Sequence, residues 1–193
     1  MPKIDMNEYN AAAETSGGGR EQMVPGAYIA TVQAIRTEGE TLYGAWTSDE
    51  KQYVIVVFDI AEGPFAGEFS RDWYMKDGRL DPDKDYLHRD YLSWKNLGFL
   101  KHKLKAFSES NPGFDAEAAF FADKWEMFIG KRFGAVLDGE VSTNESGYDR
   151  WRFSVGEVAS VQAVRDGKVR EPRVTDNRVQ VAAADTYDDV PFM

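Results

Sequence analysis

Several stretches of the chain alternate polar and apolar positions, and each predicts a β-strand. The densest is Gln52-Tyr53-Val54-Ile55-Val56-Val57-Phe58-Asp59-Ile60, rich in β-branched and aromatic residues. Ala61-Glu62-Gly63-Pro64-Phe65-Ala66-Gly67 follows, with glycines and a proline that suit a turn and not a helix. Residues 68–74 alternate again, so the pattern predicts a β-hairpin over residues 52–74 around which the rest is organised. Upstream, residues 27–36 predict a strand with Tyr28, Ala30, Val32 and Ala34 on one face and Ile29, Thr31, Gln33 and Ile35 on the other. Residues 38–51, which include Tyr43 and Trp46, read as a loop into the hairpin.

Beyond a polar, turn-rich connection at 75–85 the period lengthens. Tyr91, Leu92, Trp94, Leu97, Leu100, Leu104 and Phe107 predict an amphipathic helix, with Lys95, Lys101, Lys103 and Lys105 opposite. Asn111-Pro112-Gly113 ends it. A second short helix is predicted over 116–128, packing Phe120, Phe121, Trp125 and Phe128. Strand character returns over 131–141 and 148–155. In the latter Trp151, Phe153 and Val155 share one face, and Arg150 and Arg152 the other. Residues 156–169 predict one further short pairing, with Asp166-Gly167 as its tight turn. Three strands, one or two helices and two strands are the order of an OB-fold. The predicted class is therefore mainly β, a five-stranded OB-fold-like barrel with its helices between strands three and four.

The ends lack this patterning. Residues 1–25 close on small residues and Gly17-Gly18-Gly19, which bury too little to offset ordering entropy, so they predict a flexible arm. No Gly-Lys-Ser/Thr follows those glycines, which excludes a phosphate loop. Residues 26–170 form the expected domain, and residues 171–193 an acidic, disordered tail.

Composition changes the picture in three ways. No run reaches the roughly 20 apolar residues of a membrane span, and residues 1–6 lack a signal-peptide pattern. Cysteine is absent, which excludes disulfides and thiolate metal sites and predicts a cytoplasmic protein. The net charge of −10 argues against a nucleic-acid ligand at first, but the central 145 residues carry 19 basic and 24 acidic side chains. That balance permits a basic patch on one face.

Catalytic chemistry finds little support. His88 and His102 have no ligand-spaced neighbours, and neither a nucleophile elbow nor a dinucleotide fingerprint occurs. Pro82-Asp83 with Asp166-Gly167-Lys168 is a loose nuclease-like pattern, and the latter reads better as a turn. The expectation is a non-enzyme without metal or cofactor. Aromatics on a sheet with nearby cations fit either core packing or base stacking. On the stacking reading, Trp46, Lys51, Tyr53, Arg71, Trp73, Lys76, Lys131, Arg132, Arg150 and Arg152 are the expected contacts to single-stranded DNA. The competing reading is an acidic protein-interaction module or nucleic-acid mimic that binds no DNA.

The chain finishes Asp188-Asp189-Val190-Pro191-Phe192-Met193. Acidic residues keep such an end solvated, while Val-Pro-Phe offers an apolar anchor whose proline limits the entropy lost on docking. This end resembles the acidic tip of bacterial and phage single-stranded DNA-binding proteins. The body is similar to phage-encoded OB-fold members of that group at Gly63-Pro64-Phe65-Ala66-Gly67, Asn111-Pro112-Gly113-Phe114 and Gly130-Lys131-Arg132-Phe133-Gly134. The resemblance implies coating of single-stranded DNA without strong sequence preference during phage or prophage replication or recombination. It also implies that Asp188, Asp189, Val190, Pro191 and Phe192 recruit replication or recombination proteins and compete with DNA for the basic groove. Family tips end on the phenylalanine, whereas here Met193 follows. Exposed strand edges allow a homodimer.

Overall fold

The alternation at 26–36 does form a strand, β1 (Gly26–Arg36), in the computed structural model. The structure describes residues 21–41, 44–69, 75–76, 79–80, 89–143 and 147–178. A hairpin of β2 (Glu38–Thr41) and β3 (Gly44–Thr47) follows, then one turn of helix, α1 (Ser48–Lys51), and β4 (Tyr53–Ile60). The short β5 (Met75–Lys76) and β6 (Arg79–Leu80) pair with each other ahead of β7 (Arg89–Ser93). Next come α2 (Leu97–Ser110), α3 (Ala116–Phe121) and a 3₁₀ turn at Trp125–Phe128. The chain then forms β8 (Arg132–Thr143), β9 (Asp149–Ala159), α4 (Val161–Arg165) and β10 (Val174–Asp176).

The main sheet runs β7-β4-β1-β8-β9 with every neighbouring pair antiparallel, and it curls into a nearly closed, OB-fold-like barrel. The same register leaves β7 and β9 parallel across a seam. Leu100 and Leu104 of α2 pack into the core there, and a cleft of about 300 Å³ opens between Tyr91, Phe99, Lys103 and Val155. Asn96 starts α2 by accepting from the Phe99 N–H at 3.3 Å, the usual use of an asparagine ahead of a helix. Phe58, Phe107, Phe128 and Phe133 are almost fully buried, with ring centroids 4.9–5.4 Å apart in consecutive contacts. Each such ring stabilises the barrel by roughly 1.5–3 kcal/mol through burial.

Six expectations need correction. The helix predicted over 116–128 ends at Phe121, whose ring is exposed rather than packed in the core, and Trp125–Phe128 is a separate 3₁₀ turn. Residues 61–69 turn rather than lead into a returning strand. Asp59, buried, accepts from the Ile60 and Phe69 N–H groups and folds this segment back on β4. The strands beside β4 are β1 and β7; residues 70–74 lie outside the described part. A β-bulge between Val32 and Ala34 reverses the alternation of β1, so Ile35 packs on the core and Ala34 outside it. The segment 38–51 is the β2–β3 hairpin plus α1, not a loop. Tyr91 and Leu92 belong to β7, not to the helix. Asp166-Gly167 ends α4, with Gly167 at φ +66°, rather than turning a hairpin.

Both predicted domain boundaries move outward. Met23 is 3% exposed in the core, and the Tyr28 hydroxyl donates to the Val24 carbonyl at 2.5 Å. At the other end a strap follows α4. Asp138 accepts from the Arg170 guanidinium at 2.7 and 2.9 Å and from the Arg173 N–H at 2.7 Å, and β10 then pairs parallel with β8. Beyond β10, Arg178 bridges to Asp149 at 3.2 Å.

Candidate functional site

Val54, Val56, Phe58 and Ile60 of β4 point into the barrel, so Tyr53, Ile55 and Val57 point out. An apolar outer face in water requires cover. The β2–β3 hairpin supplies it by folding back so that Trp46 packs on Ile55 and Val57, with Ala34, Tyr53 and Tyr91 around them. Gly39 lies opposite Trp46, and a Cβ there would sit 2.8 Å from the indole Nε1, so the indole needs this glycine. A Ser48 N–H to Thr37 carbonyl bond of 2.6 Å closes the neck of the hairpin. Thr47 and Glu50 cap α1 reciprocally.

From Trp46 the aromatic row runs outward along the sheet. The Trp46 and Tyr53 centroids are 5.6 Å apart, and Tyr53 meets Tyr91 edge-to-face at 4.9 Å. The Arg89 guanidinium carbon lies 5.6 Å from the Tyr91 ring centroid. Cross-strand register sets Arg36, Ile55 and Tyr91 in one row and Ala34, Val57 and Arg89 in the next. Two half-buried tyrosine rings are thus accompanied by Arg36 and Arg89, with exposed Lys51 at the end of α1. Burial pushes the Tyr91 hydroxyl above the usual tyrosine range, partly offset by the Arg89 charge, so the ring stays neutral at physiological pH. From the barrel side Lys103 donates to both oxygens of buried Asp90, at 2.6 and 2.7 Å, and to the Tyr91 carbonyl at 2.9 Å. These bonds hold β7 in place beneath Tyr91.

The structure brings only part of the sequence-predicted set together. Tyr53 belongs to this face, and Lys51 is exposed two residues before it at the end of α1. Trp46 belongs to the face too, but at 6% exposure its ring supports Tyr53 and offers no surface for a base. Lys131 is half-buried, its ammonium 4.8 Å from the Phe114 ring centroid. Arg132 is paired with Glu62 at 2.6 Å, away from the aromatic row. Arg150 and Arg152 are exposed on β9, on the other side of β8 and β1. Arg71, Trp73 and the side chain of Lys76 lie outside the described residues, as do Asp188, Asp189, Val190, Pro191 and Phe192. Sequence reasoning missed Arg36, Arg89 and Tyr91. Asn96, a helix-capping residue placed after them, was the signal that Tyr91 precedes the helix.

No family model matches the sequence, and no curated protein matches it. Among the described residues no three His, Asp or Glu side chains converge as a metal site, and no helix is long and apolar enough to cross a membrane.

Proposed function

We propose that this chain binds single-stranded DNA without strong sequence preference, as a phage-type coating protein in replication or recombination. The observation that carries the reading is the Tyr53–Tyr91–Arg89 row on the outer sheet face, with Arg36 and Lys51 beside it. Bases stack on the two rings while the cations track phosphates, which gives sequence-tolerant and salt-sensitive affinity. Asp188, Asp189, Val190, Pro191 and Phe192 then serve as the acidic lure for partner proteins.

Tryptophan fluorescence of the full chain, titrated with oligo-dT at low and moderate salt, tests this. Quenching that weakens with salt is expected. Tyr91→Ala should weaken binding by about 1–3 kcal/mol, the usual value of one base–aromatic stack. Tail removal has to be made after Arg178, because β10 and its ion pairs lie before it, and it should strengthen binding. Absence of any binding at low salt, by quenching and by the anisotropy of a dye-labelled oligo-dT, refutes the reading. Weight would then pass to a protein-interaction module, which the exposed rings of Phe99 (68%) and Phe121 (67%) favour.

A further inference from the structure

A second group of cations sits further along the same outer sheet face. Arg132, Thr31 and Asp59 form one cross-strand row, as Arg36, Ile55 and Tyr91 do. The two rows are five residues apart along β1, about 15 Å at the usual rise of a strand. A strand of DNA that occupies one OB-fold covers roughly 4–16 nucleotides, enough to reach both.

At this second place one carboxylate serves two guanidiniums. Glu62 Oε1 accepts from Arg132 at 2.6 Å and from Arg165 at 2.9 Å, so the cluster keeps one positive charge in excess. Both arginines are mounted on fixed backbone. The Asn111 side chain accepts from the Arg132 N–H at 2.9 Å and donates to its carbonyl at 2.8 Å. Arg165 ends α4, whose Val161 N–H donates to Ser110 Oγ at 3.0 Å. The acid stands on the turn after β4, whose backbone Asp59 also holds, so only side chains have to move for the pairs to open. The three side chains are 35–51% exposed, and ion pairs so open to solvent hold weakly. A phosphate, with more acceptor oxygens than a carboxylate and a preference for guanidinium forks, competes well for such a pair.

We propose that Arg132 and Arg165 form a second phosphate-binding point for the DNA strand, and that Glu62 occupies it as an internal competitor until the strand arrives. This rests on the single-strand reading above and adds a regulated backbone contact to it. Glu62 thus tunes affinity and discourages weak polyanions.

The test compares oligo-dT affinity and its salt dependence for the full chain, Glu62→Gln, Arg165→Gln and, as a charge control on α3, Glu117→Gln. Glu62→Gln should bind about three- to fivefold more tightly, an exposed pair's worth. Arg165→Gln should bind weaker by a similar factor, with the log–log salt slope shallower by about 0.7, one phosphate on a single strand. Thermal unfolding of each variant verifies folding; should Glu62→Gln not fold, Arg165→Gln decides alone. Unchanged affinity and slope in both, alongside Tyr91-dependent binding by the wild type, overturns the second contact and leaves the aromatic face standing. A gain in Glu62→Gln no larger than in Glu117→Gln reduces the effect to net charge and also overturns it. Failure of the wild type to bind at any salt overturns both readings together.

Discussion

Asp138→Asn tests whether one carboxylate holds the strap between α4 and β10. Both Asp138 oxygens accept from Arg170, and Oδ1 also accepts from the Arg173 N–H. The two side chains are 18% and 29% exposed, so solvent screens this pair less than an open surface pair. A hydrogen bond to a charged partner contributes about 1.5–3 kcal/mol net. The amide retains one acceptor, and Glu157, 3.9 Å from Arg170, offsets part of the lost charge. The loss should therefore be about 1.5–3 kcal/mol in all, or roughly 4–10 °C in Tm for a chain of this size. Two amides report the strap locally: Gly139 N–H donates to the Arg173 carbonyl, and Asn177 N–H to the Val141 carbonyl. Both should exchange faster in the variant. The pH dependence has a fixed sign. The Arg170 hydrogen bonds hold the Asp138 carboxyl below the usual carboxylate range, so the unfolded state takes up this proton first as pH falls. The wild-type advantage is complete above about pH 4 and disappears as pH drops through the folded-state pKa. Equal Tm values at pH 7, or a gap that persists undiminished in strong acid, would refute the argument.

Two core substitutions follow from close packing. A Cβ at Gly134 would lie 2.4 Å from Val164 Cγ2 and 3.0 Å from the Ser160 carbonyl oxygen, so Gly134→Ala has to displace α4. Its cost should be about 1–3 kcal/mol by chemical denaturation, and an unchanged midpoint would show that α4 yields freely. Met23→Ala should cost about 2–5 kcal/mol, since Met23 is buried in the main cluster. A neutral result would return Met23 to a dispensable arm.

The barrel was legible where a strand is amphipathic. In β9 the half-buried Trp151, Phe153 and Val155 alternate with exposed Arg150 and Arg152 as period two requires. Local signals with two uses misled. Asp-Gly fits a tight hairpin and also a helix end, and only the packing of Val161 and Val164 beside β8 decides for the helix. Residues 61–67 form the turn that their glycines and proline predict, but no returning strand starts at 68–69, where the buried Asp59 carboxylate satisfies the Phe69 N–H that a partner strand would otherwise have taken. The aromatic site was half visible. Tyr53, one of the expected DNA contacts, lies on the outer face, whereas Trp46 became a prop because β4 is apolar on both faces and had to be covered. Arg36 and Arg89 escaped notice because their neighbourhood to Tyr53 and Tyr91 comes from register, which no local pattern encodes.

Strand β8 pairs with β1, β9 and β10. Its partner residues on β1 are more than a hundred positions earlier, as in Gly26 with Leu137. During synthesis, β1 and β4 can meet within a few dozen residues, but the second edge of β1 has nothing to bond until β8 emerges. At about 5–20 residues per second that edge waits for roughly 5–20 s. Closure of the barrel thus waits for the last third of the chain, contacts this distant in sequence are slow to form, and an unpaired edge of β1 is a template for wrong pairing in the meantime.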